Sequence, residues 1–499
     1  MEHPSNRSAN NIGLRARSAA GWQFLSKGIN TALQMVVSIV LARLLMPEDF
    51  GIVAMAAMVT GLASVFRELG LGQALVQRQE VSDEHTRSVF WGTLIMAVLL
   101  YAGVFLSAPY VGAYFDEPRM ISVLKIIALK FLLSPLEVVP RSLLQRELDF
   151  RTPFFAALAS SLAYGAVGIT MALLGYGYWA LVGAPLAGGT VSTVALCILT
   201  RYLPPIVPSF RGIGDLYGFG TGATGVSLMN HIATRVDYFV IGRRLEADDL
   251  GLYAKAYTLA TFPLSIVTTT LYPVLFPAFA KMQDDLPRVR AAFRRVLTTV
   301  GLLTWPLLGL LVITAPELIP TIFGEQWKGA IIPLQIMVLA GALKVITSPS
   351  NALAKAMGTR YVYGQLWRQA LYAALIAAAS WWGAKWGIVG VSWGVLAVNF
   401  VIFGLVAHLV FLAARFGVSD YIGALRGPLL AALGGTVFCY AVQQIARACG
   451  AAPAVTLIAS TSAALIATYA LICFNPFLEV RASYAEVRAM LARKVGGRA

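Results

Sequence analysis

Charged residues are scarce. Asp, Glu, Lys and Arg make up 13% of the 499 residues, about half the roughly 25% found in soluble globular proteins. That excludes a disordered chain and a soluble nucleic-acid binder. Histidine is rare at four residues, and so is cysteine, at Cys197, Cys439, Cys449 and Cys473. The cysteines are scattered, form no CxxC or Cys/His cluster, and three of them fall inside apolar runs. They read as small packing residues, not as a disulfide frame or a metal site. Walker, HExxH and DxD-type patterns are missing, which argues against an enzyme and against bound cofactors or metals. Without a nucleotide site, any transport must be driven by an ion gradient or by the substrate's own gradient. What the chain does have is apolar surface: 58% of residues are hydrophobic and the mean hydropathy is +0.72. The sequence is that of an all-α polytopic membrane protein.

Windows of about 20 apolar residues predict fourteen spans, near 20–44, 49–71, 87–112, 120–143, 153–174, 177–200, 215–242, 251–279, 292–314, 329–354, 361–384, 387–413, 424–446 and 453–475. They divide into an N-lobe of six helices (20–200), an interlobe cytoplasmic loop (201–214), a C-lobe of six (215–414) and two further helices (424–475). Tails at 1–19 and 476–499 flank them, and the connecting loops leave no room for an extramembrane domain. The first tail is polar, with Arg7, Arg15 and Arg17, and does not resemble a cleaved signal peptide. The net charge of +15 and pI near 9.8 fit the excess of Lys and Arg in cytoplasmic loops. With both termini cytoplasmic, those segments hold 24 Lys and Arg against 7 in the opposite loops. The densest group, Lys281, Arg288, Arg290, Arg294 and Arg295, reads as an anchor at anionic lipid.

Two segments repeat at an offset of 200 residues: VLARLLMPEDFGIVAMAA from Val40 and VIGRRLEADDLGLYAKAY from Val240, identical at seven of eighteen positions. Both sit at the junction between the first and second spans of their lobe. Six helices separate them, so the lobes are expected to be parallel repeats. Such repeats place a binding site between the lobes, near the midplane.

Polar groups inside the spans mark candidates for that site. Gln23, Lys27, Asn30, Gln34 and Ser38 share one face of the first span. At the repeat offset, Ser227, Asn230, His231 and Thr234 take the place of Lys27, Asn30, Thr31 and Gln34. Helix–helix hydrogen bonding and a wet cavity both account for the neutral members, whereas a lysine in the stripe points to a pathway or an ion pair. Lys27, Arg67, Lys125, Lys130, Arg235, Lys255, Lys344 and Arg368 stand in the spans against only Glu68, Glu137 and Asp237. Some of these pair locally or snorkel to an interface, with Lys125, Lys255 and Arg368 best placed to do so. The remaining excess suits an anion. The cavity set is therefore Lys27, Lys130, Arg235, Lys255 and Lys344 with Asn30, Gln34, Asn230 and His231. Asp237 and Glu137 are the carboxylates available to couple Na⁺ or H⁺. Arg235 and Asp237, two apart, point about 200° apart on a helix, so Arg235 on the His231 face is the better phosphate ligand. Prolines such as Pro263, Pro273, Pro277 and Pro306 are either static kinks or bends that a rocking transporter uses.

The runs FLSKGINTALQMVVSIVLARLLMPEDFGIVAMA, ELGLGQALVQRQE, VVPRSLLQRELDFR and RVDYFVIGRRLEADDLGLYAKAYTLATFP together resemble the Wzx-like polysaccharide exporters of the MOP superfamily, over about residues 15–420. The resemblance implies two six-helix lobes around a V-shaped cavity that opens to alternate sides of the bacterial inner membrane. It also implies flipping of undecaprenyl-diphosphate-linked oligosaccharides for exopolysaccharide, capsule or O-antigen, alongside a polysaccharide polymerase and export machinery. Spans 13 and 14 resemble the element that forms a lipid-tail groove in related flippases. A lipid II flippase is a neighbouring alternative. A cation-coupled drug antiporter shares the fold but needs carboxylates at its site. A polymerase or ligase would need a large external loop, and the longest here are about fifteen residues.

Overall fold

A computed structural model describes residues 4–67, 72, 75–76, 81–209 and 213–474, without the side chains of 4–20, 24, 213–227, 266–270, 272–274, 359–366 and 472–474. Every regular element described is helical. The chain runs α1 (Pro4–Leu44), α2 (Pro47–Arg67), α3 (Asp83–Phe115), α4 (Arg119–Ile127), α5 (Lys130–Arg146), α6 (Arg151–Leu173), α7 (Trp179–Thr200) and α8 (Ile213–Arg244). It continues with α9 (Ala247–Ala280), α10 (Leu286–Phe323), α11 (Ile331–Ala356), α12 (Thr359–Gly383), α13 (Gly387–Ala414), α14 (Val418–Ala448) and α15 (Pro453–Phe474).

Among the described residues ten helical stretches are long and apolar enough to cross a membrane, and one of them, Trp367–Ala414, takes in α12 from Trp367 onward and all of α13. The other expected spans fall on α4–α5, α8 and α9. The fourth is broken: at Ala128 and Leu129 the backbone tightens into i→i−3 bonds, with Phe131 N–H donating to Ala128 C=O at 2.9 Å. Several helices outrun their apolar stretch. α1 reaches back to Pro4 through the expected N-terminal tail, and α10 continues to Phe323.

Local signals set the ends. Ser82 caps α3, with its hydroxyl accepting from His85 N–H at 3.4 Å while the His85 ring reaches back to Ser82 N–H, a reciprocal box that satisfies two orphan donors. Asp285 caps α10 by accepting from Arg288 N–H at 3.1 Å. Gly175 (φ +80°) and Gly177 (φ +54°) turn α6 tightly into α7.

Contacts divide the chain into two units, Met1–Gly251 and Leu252–Ala499. In the first, α1 and α7 pack on α6, α3 and α7 pack on α5, and α8 packs on α2, which keeps α8 with this unit. In the second, α10 packs on α11, α14 and α15, and α13 is flanked by α11 and α12. Its core runs through Phe279, Phe293, Leu353, Phe416 and Tyr421. α14 is bolted to α10 at both ends. Arg294 pairs with Asp420 at 2.6 Å. At the far end Glu317 accepts from Arg447 Nε at 2.8 Å and from Gln443 at 2.5 Å.

Candidate functional site: the cationic groups within the helices

In the first unit, the polar face of α1 splits. Lys27 and Gln34 are exposed, whereas Asn30 turns toward α6 and its Oδ1 accepts from Ser161 Oγ at 2.7 Å. Asn30 Nδ2 also donates to Ser26 C=O at 2.8 Å. Asn30 therefore supplies a helix–helix bond, which is worth most where water cannot compete for it.

On α8, Asn230 is exposed, and Thr234 donates its hydroxyl to Asn230 C=O at 2.9 Å. His231 lies against α2, with Nε2 at 3.4 Å from Met58 C=O. Gly61 makes room for the ring, because a Cβ there would stand 2.6 Å from His231 Cε1. One turn further, the half-buried Arg235 holds its guanidinium 4.7 Å from the centre of the Tyr238 ring. Asp237 is buried and accepts from Tyr238 N–H at 2.9 Å. Lys130, half-buried, opens α5 just past the break, and Glu137 two turns on pairs with Arg141. Lys125 lies 4.6 Å from the Phe105 ring centre. Glu68 and the side chain of Ser227 lie outside the described residues.

In the second unit the cations meet aromatic rings. Lys344 on α11, half-buried, places Nζ 5.3 Å from the Tyr257 ring centre and 5.9 Å from that of Tyr372. Arg368 sits one turn before Tyr372 on the same face of α12. Lys255 is buried, with Nζ 4.5 Å from the Phe323 ring centre and 5.2 Å from that of Trp327. The negative ring faces offset part of the cost of taking an ammonium out of water. A lysine beside two tyrosine side chains brings charge and hydrogen-bond donors into one neighbourhood, the combination a phosphate ester accepts.

The repeat junction brings the starts of α2 and α9 together. A Cβ on Gly51 would fall 1.7 Å from Ala247 C=O, and one on Gly251 would fall 1.8 Å from Pro47 C=O. The contact is reciprocal, as a local two-fold relation between the two segments requires. Only glycine fits there, and the close backbone approach permits Cα–H···O contacts.

Carboxylates crowd the same junction. Arg119 bridges Glu48 at 2.6 Å and Glu117 at 2.7 Å, and its hydrogen bonds hold Glu117 below the usual carboxylate range. Burial, then the charges of Glu48 and Glu246, push Asp248 up. Burial, then Asp248 and Glu246, do the same to Asp249.

Sequence reasoning missed the tyrosines around Lys344, and it also missed Glu317 on the extended end of α10. Tyr257 had a signal available: at the repeat offset it replaces Ala57, on the helix turn where Lys255 replaces Met55.

The model of a family described as polysaccharide biosynthesis protein matches residues 40–332. The chain belongs to this polysaccharide biosynthesis family. It is similar to the lipopolysaccharide biosynthesis protein WzxC of Escherichia coli (strain K12), 27% identical over 87% of this chain and 89% of that one. It is also similar to the succinoglycan biosynthesis transport protein ExoT of Rhizobium meliloti (strain 1021), 32% identical over 64% and 65%. Its fold matches a solved inward closed structure of the lipid II flippase MurJ with a TM-score of 0.69, covering 89% of this chain and 97% of that one at 12% identity. This polysaccharide biosynthesis family member is thus a multi-pass membrane protein.

Proposed function

We propose that this protein flips undecaprenyl-diphosphate-linked oligosaccharide repeat units across the bacterial inner membrane by alternating access, for exopolysaccharide, capsule or O-antigen assembly. The observation that carries this reading is the cationic character of the helices in a chain whose relatives are named for polysaccharide biosynthesis and transport. Four groups of the cavity set, Lys27, Lys130, Arg235 and Lys344, are exposed or half-buried, which leaves them open to a ligand. Fixed positive charge in a poorly hydrated cavity favours a diphosphate far more than it would in water. The fold of a lipid flippase supports the architecture. Both termini face the cytoplasm, and a polymerase and export machinery take up the product. Asp237 is the carboxylate we assign to coupling by Na⁺ or H⁺.

The test is flux of a lipid-diphosphate-linked oligosaccharide in proteoliposomes, paired with a binding assay. Lys27→Ala loses flux with normal membrane abundance, and Lys27→Arg keeps part of it. Arg235→Ala loses binding, whereas Asp237→Asn binds but no longer responds to an ion gradient. Wild-type flux in Lys27→Ala together with unchanged binding in Arg235→Ala would remove the assignment.

A further inference from the structure

Within the second unit, α10 and α14 run side by side in the same direction, and glycines let them approach. A Cβ on Gly301 would stand 2.9 Å from Pro428 Cβ, and one on Gly309 would stand 2.1 Å from Thr436 Oγ1. Beyond Gly309 the character of α10 changes, because Pro316 and Pro320 interrupt it. Pro316 has no N–H to give to Val312 C=O, and Gln335 Nε2 of α11 donates to that carbonyl at 2.9 Å. Thr314 Oγ1 donates back to Leu310 C=O at 2.8 Å, a bond that favours bending. Gln443 Nε2 of α14 donates to Ile313 C=O at 2.9 Å. At this bend the backbone of α10 is held by side chains of its neighbours, which can let go.

Glu317, one residue past Pro316, sets Gln443 for that task. Its buried carboxylate accepts from Gln443 Nε2 at 2.5 Å and from Arg447 Nε at 2.8 Å. An amide nitrogen carries two N–H groups. Those of Gln443 go to Glu317 and to Ile313 C=O, so the carboxylate keeps the amide turned toward the bend.

What lies past the bend covers Lys255. Phe323 closes α10, Gly324 (φ +107°) turns the chain, and Trp327 follows in a 3₁₀ turn, Glu325–Ala330. The two rings stand 4.5 and 5.2 Å from Lys255 Nζ. Gly329 of the same turn fits over Leu252, where a Cβ would stand 2.7 Å from Leu252 Cδ1. Phe323 lies seven residues past Pro316, about 10 Å along the helix at about 1.5 Å per residue. A further bend of about 20° at the proline swings Phe323 by about 4 Å. That carries its ring beyond the roughly 6 Å reach of a cation–π contact.

We infer that α10 beyond Pro316, with the turn that follows it, is a lid over Lys255, hinged at Pro316 and latched to α14 by Glu317. With the latch made, the ammonium stays between its two rings. With the latch released, α10 bends and Lys255 opens to water or to an anion. A part for the opened Lys255 in handling cargo rests on the function proposed above, whereas the lid itself does not.

Amine labelling tests the lid without any cargo. The detergent-purified full chain is treated with a water-soluble acetylating reagent, and the rates at Lys255 and Lys344 are read by peptide mass spectrometry. Glu317→Gln removes the charge that holds Arg447, and Lys255 should then react about tenfold faster than in wild type, with Lys344 unchanged. Should Glu317→Gln lose its thermal transition, Arg447→Gln changes an exposed partner instead and should accelerate Lys255 about threefold, with Arg447→Lys recovering part. Pro316→Ala gives Val312 C=O a helical donor again, stiffens the hinge and should slow Lys255 about threefold. Wild-type reactivity of Lys255 in folded Glu317→Gln and Arg447→Gln would overturn the latch, and unslowed labelling in Pro316→Ala would overturn the hinge. Equal acceleration at Lys344 would also sink the lid, because the whole unit would then have loosened.

Discussion

The two copies of the repeat junction share a backbone and differ in charge. Gly51 and Gly251 are identical and make the same contact from opposite sides. Four residues on, Met55 and Lys255 occupy equivalent positions, 2% and 7% exposed. One is an ordinary apolar packing residue. The other is a buried ammonium held between Phe323 and Trp327. Two residues further, Ala57 becomes Tyr257, which reaches Lys344. The glycine contact was kept because the helix approach has no alternative. The charge was added in one copy only, where it costs burial energy that packing does not require. That asymmetry is what a cargo-handling role for the second copy predicts.

The largest expected effect comes from breaking what the copies share. Gly51→Ala and Gly251→Ala each insert a methyl where a carbonyl oxygen stands closer than 2 Å. Each should cost about 1–3 kcal/mol, seen as a lower thermal midpoint and reduced membrane abundance. Unchanged stability in both would mean that the junction is looser than described.

Exchanging what differs comes next. Lys255→Met gives the second copy the residue of the first, and replacing the buried ammonium with an apolar side chain of similar length should stabilise by about 1–2 kcal/mol. Met55→Lys should destabilise, because Met55 is buried and its position was built for an apolar side chain. If Lys255→Met proved less stable than wild type, the lysine would be a structural element, and the contrast between the copies would lose its functional meaning.

The smallest effect concerns pH. Asp248 and Asp249 are raised above their ordinary value of 3.8, so between that value and the raised one the folded state binds more protons than the unfolded state. Their contribution therefore improves as pH falls through the raised value toward the ordinary one, and is lost as pH rises again. Asp248→Asn should raise the midpoint at neutral pH, with the gain fading near pH 4. An equal gain at both pH values would point away from the crowding of Glu48, Glu246 and Asp249.

The spans and the repeat were legible in the sequence, because twenty apolar residues in a row have few other uses. Helix ends were not. The turns before Gly21 in α1 and beyond Thr314 in α10 lie outside the apolar windows that marked the spans, so Glu317 fell beyond the predicted span. Its bond to Arg447 spans 130 residues, which no local pattern discloses. The neutral stripe of α1 was legible as polar, but its direction was not: Asn30 faces Ser161 while Lys27 stays exposed. The cations were found by type, whereas the rings around Lys255 and Lys344 came from other segments of the chain.

The most direct measurement is flux of lipid-diphosphate-linked oligosaccharide in proteoliposomes containing Lys344→Ala, at matched amounts of folded protein. Lys344 stands beside Tyr257 and Tyr372 and is half-buried, so its loss should leave the thermal midpoint within about 1 kcal/mol of wild type. Flux should fall at least about tenfold, the share of about 1.4 kcal/mol of lost interaction, with Lys344→Arg recovering part. Wild-type flux in Lys344→Ala would contradict the claim that the cations of the second copy serve an anionic cargo.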